Sequence, residues 1–93
     1  VRPHALLAEL LELAAGELSE GPVVELAEGP ARTLRCWLDA HGDVGTAAGR
    51  LQIHPNTLRY RLRRLAETTG VDFADPDQRL LAEIQLRLRD LSA

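Results

Sequence analysis

Residues 43–70 read DVGTAAGRLQIHPNTLRYRLRRLAETTG and contain two helix patterns separated by three residues. Asp43 is a favourable N-cap, because its carboxylate can accept hydrogen bonds from the free amides of a helix N-terminus. The first helix is therefore expected over residues 44–51. Residues 52–54 then interrupt the pattern before a second helix begins.

The second helix is expected to run from Pro55 to about Thr69, because proline fits a first helical turn and Gly70 can close the last one. Two helices joined by three residues have the layout of a helix-turn-helix, which sets its second helix in the DNA major groove. The turn usually carries glycine where Gln52 stands, and a non-glycine residue resists positive φ. Gln52 is thus the position where the turn departs from the expected pattern.

Leucines lie on one narrow stripe of the second helix. Leu58, Leu62 and Leu65 fall at i, i+4 and i+7, which places them on a single side. The small residues Ala48 and Gly49 are expected to let the two helices approach closely. The leucine stripe should therefore face the core, and the opposite side should face outward.

Polar and basic side chains occupy the rest of this circumference. The candidate DNA contacts are Arg50, His54, Asn56, Thr57, Arg59, Tyr60, Arg63 and Arg64. An amide can bond adenine bidentately and a guanidinium can bond guanine O6 and N7, so Asn56 and Arg59 are expected at base edges, with Tyr60 at a base or a phosphate. Arg63 and Arg64 are expected to follow the phosphate backbone.

The remaining polar residues of this region have other expected roles. His54 and Thr57 flank the helix N-terminus, whose free amides favour a phosphate. Arg61 points toward the apolar edge, so it is expected to pair with Asp72 or Asp75 rather than to touch DNA.

Plainer interpretations of the same residues stay open. Arginine clusters on helices are often solvated faces without a nucleic-acid partner. Tyr60 can lie over the edge of the core, and His54 can be a turn residue satisfied by water or backbone. Position and spacing, rather than residue type alone, therefore carry the DNA-binding interpretation.

Charge is strongly segregated along the chain. Residues 1–43 carry three arginines and eight acids, and residues 67–93 carry three arginines and six acids. Residues 44–66 between them carry five arginines and no acid, although the whole chain has a net charge of −3. The negative total therefore does not argue against a polyanionic partner for the central segment.

The composition places limits on the class of protein. With 93 residues, 45% hydrophobic and 27% charged, the chain should form one soluble domain, and no apolar run approaches the roughly 18 residues of a membrane span. No secretory leader is visible, so a cytoplasmic location is expected. Cys36 is a single cysteine, and the histidines lack metal-binding spacing, so no disulfide, metal or cofactor is expected.

Glycine and proline divide the rest of the chain into further helices. We expect one near residues 4–15, a short one over residues 23–28, and one from Pro30 to about His41–Gly42. The fold predicted is an all-α domain of five to six helices. Residues 1–29 would be a helical extension for packing or dimer contact, and residues 30–93 the helix-turn-helix unit.

A final helix is expected from Pro76 to about Leu91, because residues 75–78 have the form of a capping box. Its apolar face is expected to hold Leu80, Ile84, Leu88 and Leu91. Arg79 and Glu83 are expected to form an ion pair one turn apart.

Three segments together resemble the C-terminal helix-turn-helix domain of PucR/CdaR-type bacterial transcription regulators. They are AAGRLQIHPNTLRYRLRRL at 47–65, TGVD at 69–72 and DPDQR at 75–79. The resemblance covers about residues 33–89. It implies a DNA-binding output domain of a larger protein whose N-terminal region senses a small metabolite.

The same segment is similar to the Fis-type motif. That similarity implies a phosphate contact at Thr57 and a base contact at Arg59. Where Fis-type proteins place another base-contacting arginine, this chain has Pro55. That contact therefore does not carry over.

Two functions are compatible with these sequence features. The first is sequence-specific binding of double-stranded DNA as part of a homodimer or larger assembly. The second is a helical interaction module whose basic patch docks an acidic protein. An enzyme is not expected, because the sequence offers no nucleophile–base pair, no glycine-rich phosphate loop and no carboxylate constellation.

Overall fold

The computed structural model describes residues 5, 7–9 and 20–92, and within them the protein is all-α, with no residue in a β-strand. The helices with defined bounds are α1 (Glu28–Asp39), α2 (Val44–Leu51), α3 (Pro55–Thr69) and α4 (Pro76–Ser92). Residues 5 and 7–9 are also helical. The remainder of the helix expected near residues 4–15 lies outside the described residues. The predicted fold class is confirmed.

The prediction of a short helix over residues 23–28 is wrong. The chain forms a single turn there, in which the Glu25 amide donates to the Gly21 carbonyl at 3.1 Å. Helix α1 begins at Glu28, two residues before the proline expected to open it, so Pro30 lies within its first turn. A short run between two glycine–proline pairs is too brief to propagate a helix of its own.

Helix α1 ends in a Schellman motif. The Gly42 amide donates to the Trp37 carbonyl at 3.0 Å, and the His41 amide donates to the Leu38 carbonyl at 2.9 Å. His41 takes the left-handed position with φ of 55°. These bonds satisfy the last carbonyls of α1 and reverse the chain directly into α2.

The core collects side chains from all four helices. Its buried members are Val23, Ala31, Leu34, Trp37, Leu38, Ala40, Ala47, Ala48, Leu58, Leu65, Phe73, Ala82 and Leu86. The rings of Trp37 and Phe73 meet edge to face with centroids 5.8 Å apart. Helix α1 packs against α2, α3 and α4 and is therefore the central element of the domain.

Helix α4 departs from the apolar face expected for it. Leu80 is 55% exposed and Leu91 is 70% exposed, whereas Ala82, Leu86 and Leu88 are buried. The prediction of a buried face is therefore correct for Leu88 and wrong for Leu80 and Leu91 at its two ends. Spacing within one helix identifies an apolar stripe but does not determine how much of it a neighbour covers.

Polar contacts of α4 also differ from expectation. The Gln78 side chain accepts a hydrogen bond from the Asp72 amide at 2.8 Å, so it does not complete the capping box with Asp75. Glu83 pairs with Arg87 at 3.2 Å instead of with Arg79. A glutamate preceding an arginine by one turn is the more favourable order, so the observed pair is the better one.

An ion-pair cluster joins α1 to α4. The Arg35 guanidinium donates to both Asp90 carboxylate oxygens, at 2.8 and 3.0 Å, and to Glu28 at 3.3 Å. Arg89 donates to Glu28 from the other side at 3.4 Å. The pKa of Arg35 is raised, mainly by its hydrogen bond to Asp90. The cluster fixes the C-terminal end of α4 against α1.

We predict that Arg35→Gln lowers the free energy of unfolding by about 1 kcal/mol, because these pairs are partly exposed and each contributes modestly. Arg32→Gln is the matched control: Arg32 is exposed in the same helix and forms no ion pair among the described residues. Urea denaturation of both variants at low and high salt measures the difference. Equal losses for the two variants would contradict the assigned role.

Candidate nucleic-acid interface

A tight bend joins α2 to α3. Gln52 adopts the left-handed conformation with φ of 57° and ψ of 43°, and the Ile53 amide donates to the Ala48 carbonyl at 3.0 Å. Gln52 therefore takes the backbone geometry that glycine normally supplies. Its side chain is exposed, so nothing opposes the turn except the intrinsic cost of that conformation.

Both helices of the motif begin with a capping side chain. Asp43 accepts from the Gly45 amide at 3.1 Å and from the Thr46 hydroxyl at 2.7 Å. The Thr46 hydrogen bond is the main cause of the lowered pKa of the Asp43 carboxyl. At α3, His54 Nδ1 accepts from the Asn56 amide at 3.0 Å. His54 thus caps the N-terminus of α3.

The helices of the motif pack through small and leucine side chains. Ala47, Ala48 and Leu58 are almost completely buried, and Leu65 is 5% exposed. Gly49 was expected to allow close approach of the helices, but it is exposed and a Cβ there would meet nothing within 4 Å. Close packing therefore depends on the two alanines.

The opposite side of α3 faces outward. All eight candidate contact residues are exposed: Arg50, His54, Asn56, Thr57, Arg59, Tyr60, Arg63 and Arg64. Tyr60 is 57% exposed, so it does not lie over the edge of the core. These residues thus lie on the last turn of α2, in the bend and on the free face of α3, uncovered by any described part of the chain.

Two of these residues contact each other. Arg59 Nη1 donates to Asn56 Oδ1 at 2.8 Å, across one turn of α3. Sequence reasoning treated the two as separate base readers and missed this bond. Their i, i+3 spacing is the signal that could have revealed it.

Arg61 does not make the ion pair expected of it. Among the described residues it is bonded to neither Asp72 nor Asp75, and it borders an open cleft of about 480 Å³ between α1 and α3. Leu65 and Pro30 also line this cleft. Arg64 lies within 3.9 Å of Glu67, a distant and exposed contact that leaves its guanidinium accessible.

The described part of the chain offers no metal site. Residues 5, 7–9 and 20–92 contain no grouping of three or more histidine, cysteine or acidic side chains able to hold a metal ion. None of the helices in those ranges combines the length and apolar character required to cross a bilayer.

A short bend, a leucine-packed helix pair and an exposed arginine face define the class of helix-turn-helix DNA-binding domains. The model of the PucR C-terminal helix-turn-helix domain family matches residues 31–88, and the chain belongs to that family. The domain is accordingly of the kind that forms the output end of bacterial transcription regulators.

Known proteins similar to this chain include two regulators. The carbohydrate diacid regulator of Escherichia coli strain K12 is 42% identical over 57 residues, 61% of this chain. The DNA-binding transcriptional activator AdeR of Bacillus subtilis strain 168 is 34% identical over 59 residues, 63% of this chain. The chain spans only 15% of the first relative's length and 14% of the second's.

A solved structure extends the similarity to the fold. The regulator of polyketide synthase expression from Bifidobacterium adolescentis is 31% identical and superposes with a TM-score of 0.73. The match covers 95% of this chain and 38% of that protein.

We predict that Gln52→Gly raises the free energy of unfolding by about 0.5–1 kcal/mol, because glycine removes the cost of the left-handed conformation. Arg32→Gly is the control, since it places glycine at an exposed helical position and should lower stability by about 1 kcal/mol. Thermal and urea unfolding measure both. Destabilisation by Gln52→Gly comparable to that of the control would mean that the turn lacks the left-handed residue.

Proposed function

We propose that this chain recognises an operator half-site by inserting α3, Pro55–Thr69, into the major groove of double-stranded DNA. The observation that carries the proposal is the outward basic face of α3, which lies opposite its buried leucines. A helix held by one side on a small core can enter a groove about 12 Å wide with its free side.

The exposed side chains fall into two groups, according to whether they are assigned to base edges or to phosphates. Asn56, Arg59 and Tyr60 lie on the first two turns of α3; Asn56 and Arg59 are assigned to base edges, and Tyr60 to a base or a phosphate. Arg63 and Arg64 follow on the third turn and are assigned to phosphates, which position the helix without reading sequence. The further phosphate contacts assigned are Thr57, His54 and Arg50.

The proposal extends to the larger protein. The chain spans a small part of the regulators it resembles, and a region outside it would carry the sensing function. Residues 1–29 would serve packing or dimer contact, and residues 30–93 would bind DNA as one half of a homodimer in the cytoplasm. The domain would carry out no chemistry of its own.

Salt dependence distinguishes this proposal from docking to an acidic protein. Five arginines lie in residues 44–66 without an acid. The three arginines assigned to phosphates, Arg50, Arg63 and Arg64, would give a slope of log affinity against log salt of about −3 on duplex DNA. Titrating the chain with a random-sequence duplex at several salt concentrations measures this slope. Absence of duplex binding at every salt concentration would favour the acidic-protein alternative.

Variants sharpen the assignment. We predict that Arg63→Ala weakens binding to all duplexes alike and reduces the salt slope by about one. Arg59→Ala should cost about 1–3 kcal/mol on a selected operator and much less on random DNA. Arg87→Ala is the control, because Arg87 is an exposed arginine on α4 that pairs with Glu83.

The control should leave DNA binding unchanged. Equal losses of DNA affinity for Arg87→Ala and Arg63→Ala would contradict the assignment of α3 to the DNA interface. If Arg59→Ala lost the same affinity for operator DNA as for random DNA, the base-reading role of Arg59 would be contradicted.

A further inference from the structure

The N-terminal turn of α3 contains two linked hydrogen bonds. His54 Nδ1 accepts from the Asn56 amide at 3.0 Å, which fixes the Asn56 backbone. Asn56 Oδ1 then accepts from Arg59 Nη1 at 2.8 Å, which holds the guanidinium. All three residues are exposed, so this arrangement lies on the face assigned to DNA.

The bond to Asn56 leaves Arg59 well matched to guanine. A guanidinium has five N–H donors and no acceptor, so giving one to Asn56 leaves four. Guanine presents two acceptors, O6 and N7, in the major groove, whereas adenine presents one acceptor and one donor. An arginine held in place also loses less side-chain entropy when it binds.

The same bond makes Asn56 a poor reader of adenine. A bidentate amide–adenine pair requires Oδ1 to accept from the N6 amino group while Nδ2 donates to N7. Oδ1 already gives one of its two lone pairs to Arg59 at 2.8 Å, so an adenine amino group would share this oxygen with a positively charged guanidinium. Asn56 is therefore a weaker reader of adenine while it holds Arg59.

We infer that Asn56 is a positioning residue that orients Arg59, and that the two side chains act as one unit reading a single guanine in the operator half-site. The inference rests on the proposed entry of α3 into the major groove. It replaces the earlier expectation that Asn56 and Arg59 each read a separate base.

The test begins with duplexes selected from a random pool by the 93-residue chain. Selection is repeated with Arg59→Ala, Asn56→Ala and the double variant, after circular dichroism has verified that each is folded. If the two side chains act as one unit, Asn56→Ala and Arg59→Ala should both lose preference at the same G·C pair, by about ten-fold or more. The double variant should lose little beyond Arg59→Ala, because Asn56 acts through the arginine.

Asn56→Asp separates positioning from direct reading. It keeps an accepting oxygen for Arg59 and lacks the amide donor that adenine N7 needs. The guanine preference should therefore persist, while the added negative charge lowers affinity for all duplexes alike. Loss of preference at an A·T pair in this variant would overturn the inference.

Independent reading gives a different result. Asn56→Ala and Arg59→Ala would then relax preference at two different base pairs, and their losses would add in the double variant. That outcome would overturn the inference and leave the proposed function intact. Failure of the unaltered chain to select any duplex would instead overturn the proposed function, and the inference with it.

Discussion

Burial of one side of α3 against the core determines which side remains available to a partner. Leu58 is completely buried and Leu65 nearly so, and each such side chain contributes about 1.5–3 kcal/mol relative to exposure. Turning α3 about its axis would expose both leucines and bury arginines without counter-charges, which is far more costly. The packing of α1, α2 and α3 therefore fixes the orientation of the outward face, and the left-handed Gln52 fixes the angle at which α3 leaves α2.

The distribution of charge over the fold determines which surface can attract a polyanion. The chain is acidic overall, yet all of its acids lie outside residues 44–66, and several form hydrogen bonds or ion pairs within the fold. Asp43 caps α2, Asp90 binds Arg35, and Glu28 binds Arg35 and Arg89. Arg50 on α2 and the arginines of α3 are left largely without acidic neighbours. Local distribution rather than net charge thus decides whether such a domain attracts a polyanion.

Sequence reasoning predicted the helix-turn-helix well, because its signals are local: Asp43, Pro55 and Gly70 mark helix ends through contacts within a few residues. It failed for features that depend on contacts between distant parts of the chain. The coverage of α4, the partner of Gln78 and the surroundings of Arg61 depend on how helices pack, which spacing along one helix does not encode. The contact roles of the exposed residues stay predictions, since exposure establishes access and not use.

The most direct test follows backbone amide and arginine side-chain NMR signals of the 93-residue chain during titration with a duplex. The account predicts that the largest shift changes fall in residues 54–64 and in the Arg59 and Arg63 guanidinium groups, with small changes at Arg32 on α1 and along α4. Largest changes on α4 or α1, with the signals of α3 unmoved, would contradict it.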